Sequence, residues 1–269
     1  MDVALTESTT MFSKLFSRRV PDEKPVQAQL SPGERVYAIG DIHGRHDLLV
    51  QLLARIEADD VLRGGDAGTL IFLGDLVDRG PESAQVVETL MHLSKRRPEG
   101  KTRFLLGNHE EVFLAVLAGD SKVLKFFDRI GGGDTILSYG VSKAAYKAAS
   151  YEELLTLVLD AVPEDHVEFL QSFEDMIVVG DYVFVHAGVR PGQPLNLQRS
   201  NDLRWIRADF LGHRGRFEKI VVHGHTISDE VEVMSNRIGL DTGAFQSGRL
   251  TAMGFEGSSR WVLQTGVSR

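Results

Sequence analysis

From residue 35 onward, short apolar runs alternate with stretches in which apolar positions recur every three or four residues. Arg35 to Ile39 (RVYAI) is a β-branched and aromatic run stopped by Gly40, which predicts a strand. Leu48, Leu49, Leu52, Leu53 and Ile56 then fall at helical spacing and predict a helix over 46–58. Thr69 to Leu73 repeats the strand pattern, and a helix is predicted from Ser83 to Lys95 with Pro81 ahead of it. Thr102 to Leu106 makes a third strand, ending in Gly107. This βαβα order predicts an α/β chain with a mostly parallel, buried sheet and helices on its faces.

The middle of the chain turns helical. Residues 110–118, 121–130, 151–160 and 164–173 carry helical spacing, the last started by Pro163. The triple glycine at 131–133 predicts a break and a loop close to the functional site. Seven further strands are predicted at 176–179, 182–186, 220–222, 231–234, 238–241, 249–255 and 261–264, with turn signals such as Gly180-Asp181 between them. They predict a second, largely antiparallel sheet packed on the first, with some of the seven extending the first.

Five segments place Asp, Asn or His directly after a predicted strand, beside a glycine. They are GDIHG at 40–44, GDLVDRG at 74–80, GNHE at 107–110, HAG at 186–188 and HGHT at 223–226. In a parallel sheet, function gathers at the carboxyl ends of the strands, so these segments converge there. Asp41 and His43, two apart on an extended segment, face one side. Asp75 can bridge two metals, while Asn108, His186 and one histidine of HGHT complete the set. Oxygen and nitrogen ligands without a thiolate suit two divalent ions, Mn²⁺ foremost, with Fe or Zn²⁺ as alternatives. A two-metal site acidifies a water and clamps phosphoryl oxygens, which predicts phosphoester hydrolysis.

The neighbouring residues supply the remaining chemistry. Arg79 offers paired donors that match phosphate and is the expected substrate clamp. His109 is placed to protonate the departing oxygen, with Asp78 orienting its imidazole. Taken singly, a strand-end Asp is as often a helix cap, and an exposed Arg is a surface ion pair. Coincidence would have to explain all five segments, which hold five of the nine histidines. His46, His92, His166 and His213 receive no role.

Composition narrows the picture. The 269 residues are 42% hydrophobic and 25% charged, ordinary for a globular chain. A net charge of −8 argues against a nucleic-acid groove, and no apolar run is long enough to span a bilayer. The absence of cysteine fits a reducing cytoplasm, the expected location. Residues 1–30, with Pro21, Pro25 and the segment MFSKLFSRR at 11–19, are expected to form a flexible N-terminal tail. Residues 31–269 are expected to form one catalytic domain, because the first and last motifs must reach one site.

With these motifs in hand, the chain resembles the calcineurin-like metallophosphoesterases over about residues 35–245. Within them it is most similar to the phosphoprotein phosphatase (PPP) group, in its compact bacterial and phage lambda-phosphatase-like form. The resemblance implies a sandwich of two packed mixed β-sheets flanked by helices. It implies that Asp41, His43 and Asp75 hold the first metal and that Asp75, Asn108, His186 and His225 hold the second, selecting His225 over His223. It makes His109 the proton donor, Asp78 its partner, and Arg79 and Asn108 phosphate contacts. A second arginine is expected in the WIR segment, as Arg207 rather than Arg204. Asp241-Thr242-Gly243 is expected behind the site, supporting His225. The long insertions and tyrosine-bearing tail of eukaryotic members are missing, so their regulatory partners are not implied.

The resulting expectation is a protein serine/threonine phosphatase acting on a phosphoprotein or phosphopeptide. The alternative is a diadenosine tetraphosphate hydrolase with the same metal motifs, for which a changed residue is expected where Asp78 stands. A third reading, a scaffold that binds phosphoproteins without cleaving them, sits poorly with a complete ligand set.

Overall fold

The computed structural model describes residues 28–266. The expected tail therefore lies almost wholly outside the described residues. Residues 28–30 pack on the domain: Leu30 is buried and donates its N–H to Gly257 O, while Gln29 O accepts from Asp181.

The first half alternates as the pattern predicts. β1 (Arg35–Ile39) leads to α1 (His46–Arg63), which buries Leu48, Leu49, Leu52 and Ile56. β2 (Thr69–Phe72), α2 (Ser83–Arg96), β3 (Thr102–Phe104) and α3 (Asn108–Leu117) follow. α4 (Ser121–Phe127) then runs through a π turn at Asp128–Gly132 into α5 (Gly133–Ser138). The triple glycine is thus a kink inside a helical segment, where a loop was expected. Gly131 sits there at φ 115°, a conformation only glycine adopts without strain.

α6 (Lys143–Ala148) has no buried residue, which is why no apolar periodicity announced it. α7 (Tyr151–Ala161) starts on a capping box of Ser150 and Glu153, and α8 (Glu164–Gln171) follows. Then come β4 (Met176–Val179), β5 (Tyr182–Val185), α9 (Ser200–Trp205), α10 (Ala208–Leu211) and β6 (Ile220–His223). The chain closes with β7 (Glu232–Val233), β8 (Arg237–Gly239), α11 (Ala244–Ser247), β9 (Thr251–Glu256) and β10 (Ser259–Gln264).

Two five-stranded sheets result, ordered β10-β9-β1-β2-β3 and β4-β5-β6-β8-β7. The β9–β10 hairpin extends the first sheet, β9 pairing antiparallel with β1. The second sheet is mixed rather than largely antiparallel, because β5, β6 and β8 run parallel to one another. Period-two alternation explains how the layers stack. Val36 and Ala38 of β1 face Tyr182 and Phe184 of β5 in a core between the sheets. Tyr37 and Ile39 face the helices of the first half, and Val183 and Val185 face α9 and Phe210. Each fully buried Phe or Val in these layers contributes about 1.5–3 kcal/mol. Among the described residues, no helix is long and apolar enough to cross a membrane.

Candidate metal centre

The sandwich brings the carboxyl ends of two parallel triplets, β1-β2-β3 and β5-β6-β8, to one rim. Asp41 and His43 follow β1, Asp75 follows β2, Asn108 follows β3, His186 follows β5 and His225 follows β6. All six are buried. Backbone bonds stitch the loops together: Ile42 and His43 donate to Asp75 O at 3.0 and 2.9 Å, and Gly224 donates to His186 O at 2.8 Å. The two sheets are tied at the site itself. Asp41 accepts the His225 N–H, at 3.0 Å for the nearer oxygen, and His186 Nδ1 donates to Leu73 O at 2.7 Å. Gly224 makes that approach possible, since a Cβ there would lie 2.0 Å from Asp41 Oδ1.

Backbone strain marks the same residues. Among the described residues, the non-glycine positions with left-handed φ are His43 (47°), Asp75 (50°), Asp78 (71°), Arg79 (67°) and His225 (63°). Each such position costs about 1–3 kcal/mol and persists only where surrounding bonds enforce it. Glu110 is one enforcer: its carboxylate accepts from the backbone N–H groups of Asp75, Leu76, Val77 and Gly107 at 2.8–3.2 Å. Burial and the neighbouring Asp75 push its carboxyl up to about 7.

The donor set fits divalent cations, and the tautomers show why. His43 Nδ1 donates to Val77 O at 2.8 Å, so its Nε2 lone pair faces Asp75 Oδ2 at 3.5 Å. His186 Nδ1 is likewise spent on Leu73 O, leaving Nε2 against Asp75 Oδ1 at 3.4 Å and Asn108 Oδ1 at 3.0 Å. His225 Nδ1 lies 3.1 Å from that same His186 Nε2, and its own Nε2 is buried without a hydrogen-bond partner. Imidazole nitrogens thus ring Asp75, and the buried His225 Nε2, without a hydrogen-bond partner, is one a cation would satisfy. Burial lowers His43 to about 3 and His225 to about 2, so both are neutral and ready to ligate. Burial alone would raise Asp75, but His186, His109 and His43 around it hold it far below the carboxylate range.

Two compact groups emerge, His43–Asp75–His109 and Asp75–His186–His225, and Asp75 belongs to both. Asp41 lies outside either. Burial and its neighbours Asp241 and Asp75 push it well above the usual carboxylate range. Asp241 hydrogen-bonds to Asp41, so the Asp-Thr-Gly segment supports Asp41 first and His225 only through it. His223 turns away, its ring edge-on to Phe210 at 5.0 Å.

Beside the cluster, His109 Nδ1 donates to Asp78 Oδ2 at 2.6 Å. Burial opposes the imidazolium, but Asp75 and the bonded Asp78 outweigh it and raise the His109 pKa. Arg79 directs its two terminal nitrogens at His43 Nε2 and His109 Nε2, each at 3.0 Å, and its guanidinium lies 5.0 Å over the Phe245 ring. It has no carboxylate partner among the described residues. Arg207 is exposed and similarly without an ion pair there, whereas Arg204 is committed to Glu111 and Asp175, both at 2.7 Å.

Three residues near the site had no assigned role from sequence. Glu110 lies inside GNHE, yet three of its four partners lie 33 to 35 positions away along the chain. Thr135 bonds Asp78 from beyond the triple glycine, and Gly131 O accepts the Arg79 N–H at 3.1 Å. Phe245 had no motif around it beyond its nearness to Asp241.

The sequence profile of the calcineurin-like phosphoesterases matches residues 34–244. A bis(5'-nucleosyl)-tetraphosphatase PrpE (asymmetrical) of Anoxybacillus flavithermus is 26% identical over 238 residues, covering 80% of this chain and 88% of that protein. A symmetrical bis(5'-nucleosyl)-tetraphosphatase of Delftia acidovorans is 42% identical over 167 residues, covering 59% of this chain and 53% of its own length. A crystal structure of a candidate diadenosine tetraphosphatase superposes with a TM-score of 0.60 at 22% identity, over 88% of this chain and 98% of that one, a likeness of fold.

Proposed function

The chain belongs to the calcineurin-like phosphoesterase family, and from that premise we propose that it hydrolyses a dinucleoside tetraphosphate at a two-metal centre built on Asp75. The observation that carries the substrate is the PrpE relative, similar across nearly the whole of both chains and named for that reaction. This displaces the phosphoprotein expected from sequence. That expectation leaned on Asp78, which is fully buried and bonded to His109 and Thr135. Asp78 therefore positions a proton donor and does not touch the substrate, so it cannot tell one leaving group from another.

Asp41, His43 and Asp75 would hold one divalent ion, and Asp75, Asn108, His186 and His225 the other, with Mn²⁺ the first choice among Mn²⁺, Fe and Zn²⁺. When bound, such a pair supplies a water acidic enough to attack near neutral pH and positive charge against the phosphoryl oxygens. The protein supplies the rest. Arg79 and Arg207, neither tied to a carboxylate among the described residues, bind the phosphate oxygens and fix the phosphoryl group, with Asn108 beside them. With Arg79 turned from His109 to the phosphate, His109 Nε2 carries the proton that it gives to the leaving oxygen as the P–O bond breaks. Asp78 holds Nδ1–H, setting the ring's tautomer and favouring its cationic form.

The test is a parallel assay of diadenosine tetraphosphate and phosphoserine and phosphothreonine peptides with Mn²⁺. The reading expects kcat/KM for the dinucleotide to exceed that for the peptides by about tenfold or more, about 1.4 kcal/mol of transition-state binding. The opposite order would restore the phosphoprotein substrate. No turnover of either would point to a scaffold.

A further inference from the structure

Arg207 follows α9, whose Leu203 accepts the N–H of Ala187 beside His186, and it lines a cavity of about 260 Å³ between α9 and α10. We infer that this cavity is the subsite for the second nucleoside of the substrate, the half that lies beyond the attacked phosphoryl group. The inference rests on the dinucleoside tetraphosphate reading above.

The cavity walls argue for a neutral, flat, hydrogen-bonding guest. Arg190 bridges Asp202 and Asp209, each at 2.5 Å, so its charge is spent and the trio carries one net negative charge that Arg207 offsets. Arg207 is exposed and lacks a carboxylate partner among the described residues. The cavity therefore offers one free cation and, beyond it, carboxylates that repel further phosphate but accept from neutral hydroxyl donors. A polyphosphate chain suits the cation, and an uncharged nucleoside suits the space beyond it. Trp205 lines the cavity, and its ring is fixed by its Nε1–H bond to Glu111 and by Phe126 beside it. Such a rigid aromatic face is a stacking partner for any base. The Asn201 amide can both donate to and accept from a base edge, and Asp202 and Asp209 can accept from ribose hydroxyls.

Size and placement agree. A second cavity of about 620 Å³ adjoins it, with Arg190, Asn201 and Asp202 lining both, and falls in the size range of ligand pockets. α9 is fixed relative to the metal cluster, because Ala187, next to His186, donates its N–H to Leu203 O at 2.7 Å.

The test places a plug in the hollow with Ala208→Trp and removes a polar wall with Asn201→Leu. Hydrolysis of diadenosine tetraphosphate is compared with that of para-nitrophenyl phosphate, which has no nucleoside to seat. For Ala208→Trp, the ratio of the two kcat/KM values should fall about tenfold or more, chiefly through KM for the dinucleotide; for Asn201→Leu it should fall in the same direction by less. If the tryptophan variant loses turnover of both substrates through misfolding, Asn201→Leu decides. A wild type active on the dinucleotide with both ratios unchanged would overturn the subsite alone. A wild type inactive on the dinucleotide would overturn the substrate reading, and the subsite with it.

Discussion

Thr135 Oγ1 accepts the Asp78 N–H at 2.8 Å and gives its own proton to Asp78 Oδ1 at 2.7 Å, so one hydroxyl fixes both the backbone and the carboxylate of that residue. Asp78 in turn holds His109. Thr135→Val keeps the shape and removes the hydroxyl, leaving Asp78 Oδ1 short of a donor and the Asp78 N–H only its longer bond to Ser83 Oγ at 3.1 Å. Stability should fall by about 1–3 kcal/mol in urea unfolding. Turnover of alkyl phosphate esters should fall more than turnover of aryl esters. A variant as stable as the wild type would show that Asp78 is held by other means.

His109→Asn tests the proton donor through the leaving group. An alkoxide is a strong base and needs the proton, whereas para-nitrophenolate departs without it. General acid catalysis is worth about 10²–10⁴-fold, so the loss on a phosphoserine peptide should far exceed the loss on the aryl ester. A nucleotide leaving from a polyphosphate is also a weak base, so the loss on diadenosine tetraphosphate should lie near the aryl value. Equal losses on all three, with metal content reduced, would make His109 structural.

The arginines separate into two kinds. Arg79→Ala and Arg207→Ala should leave stability and metal content intact while costing about 2–4 kcal/mol in transition-state stabilisation. Arg204→Ala should do the reverse: its two ion pairs are part-exposed, so stability should fall by about 0–1 kcal/mol with turnover nearly unchanged. Exchanged behaviour of Arg204 and Arg207 would show that the wrong arginine was assigned to phosphate.

Glu110→Gln should weaken the loops that carry Asp75 and Asn108. The amide NH₂ faces N–H groups that the carboxylate oxygens accept from. We expect a loss of about 1–3 kcal/mol in stability, together with weaker metal retention on dialysis. Unchanged metal retention would mean that the strained Asp75 backbone holds without it.

The strand-end residues were legible because each is local: a short apolar run, then glycine, then a polar residue. What was not legible depends on distant pairing. β9 and β10 read as strands from their alternation, but joining β1 rests on Tyr37 meeting Gly254, which no local pattern records. The parallel run of β5, β6 and β8 was missed because hairpin-like turn signals dominate that half, while α9 and α10 lie within the long β5–β6 connection. The triple glycine predicts a loop, because glycine breaks helices. The structure uses Gly131 to kink one, bringing Thr135 onto Asp78 and Gly131 O onto Arg79. Substrate was the least legible feature, since the motifs encode metal and phosphate and not what the phosphate is attached to.

Asp75 belongs to both candidate metal groups, so its loss should empty both. The direct measurement is metal content alongside hydrolysis of diadenosine tetraphosphate, for wild type and Asp75→Asn, before chelation and after Mn²⁺ is restored. The account predicts two ions per wild-type chain, loss of turnover on chelation with recovery in Mn²⁺, and a variant that retains neither the ions nor the activity. An Asp75→Asn chain with two ions and normal turnover, or a chelated wild type at full rate, would contradict it.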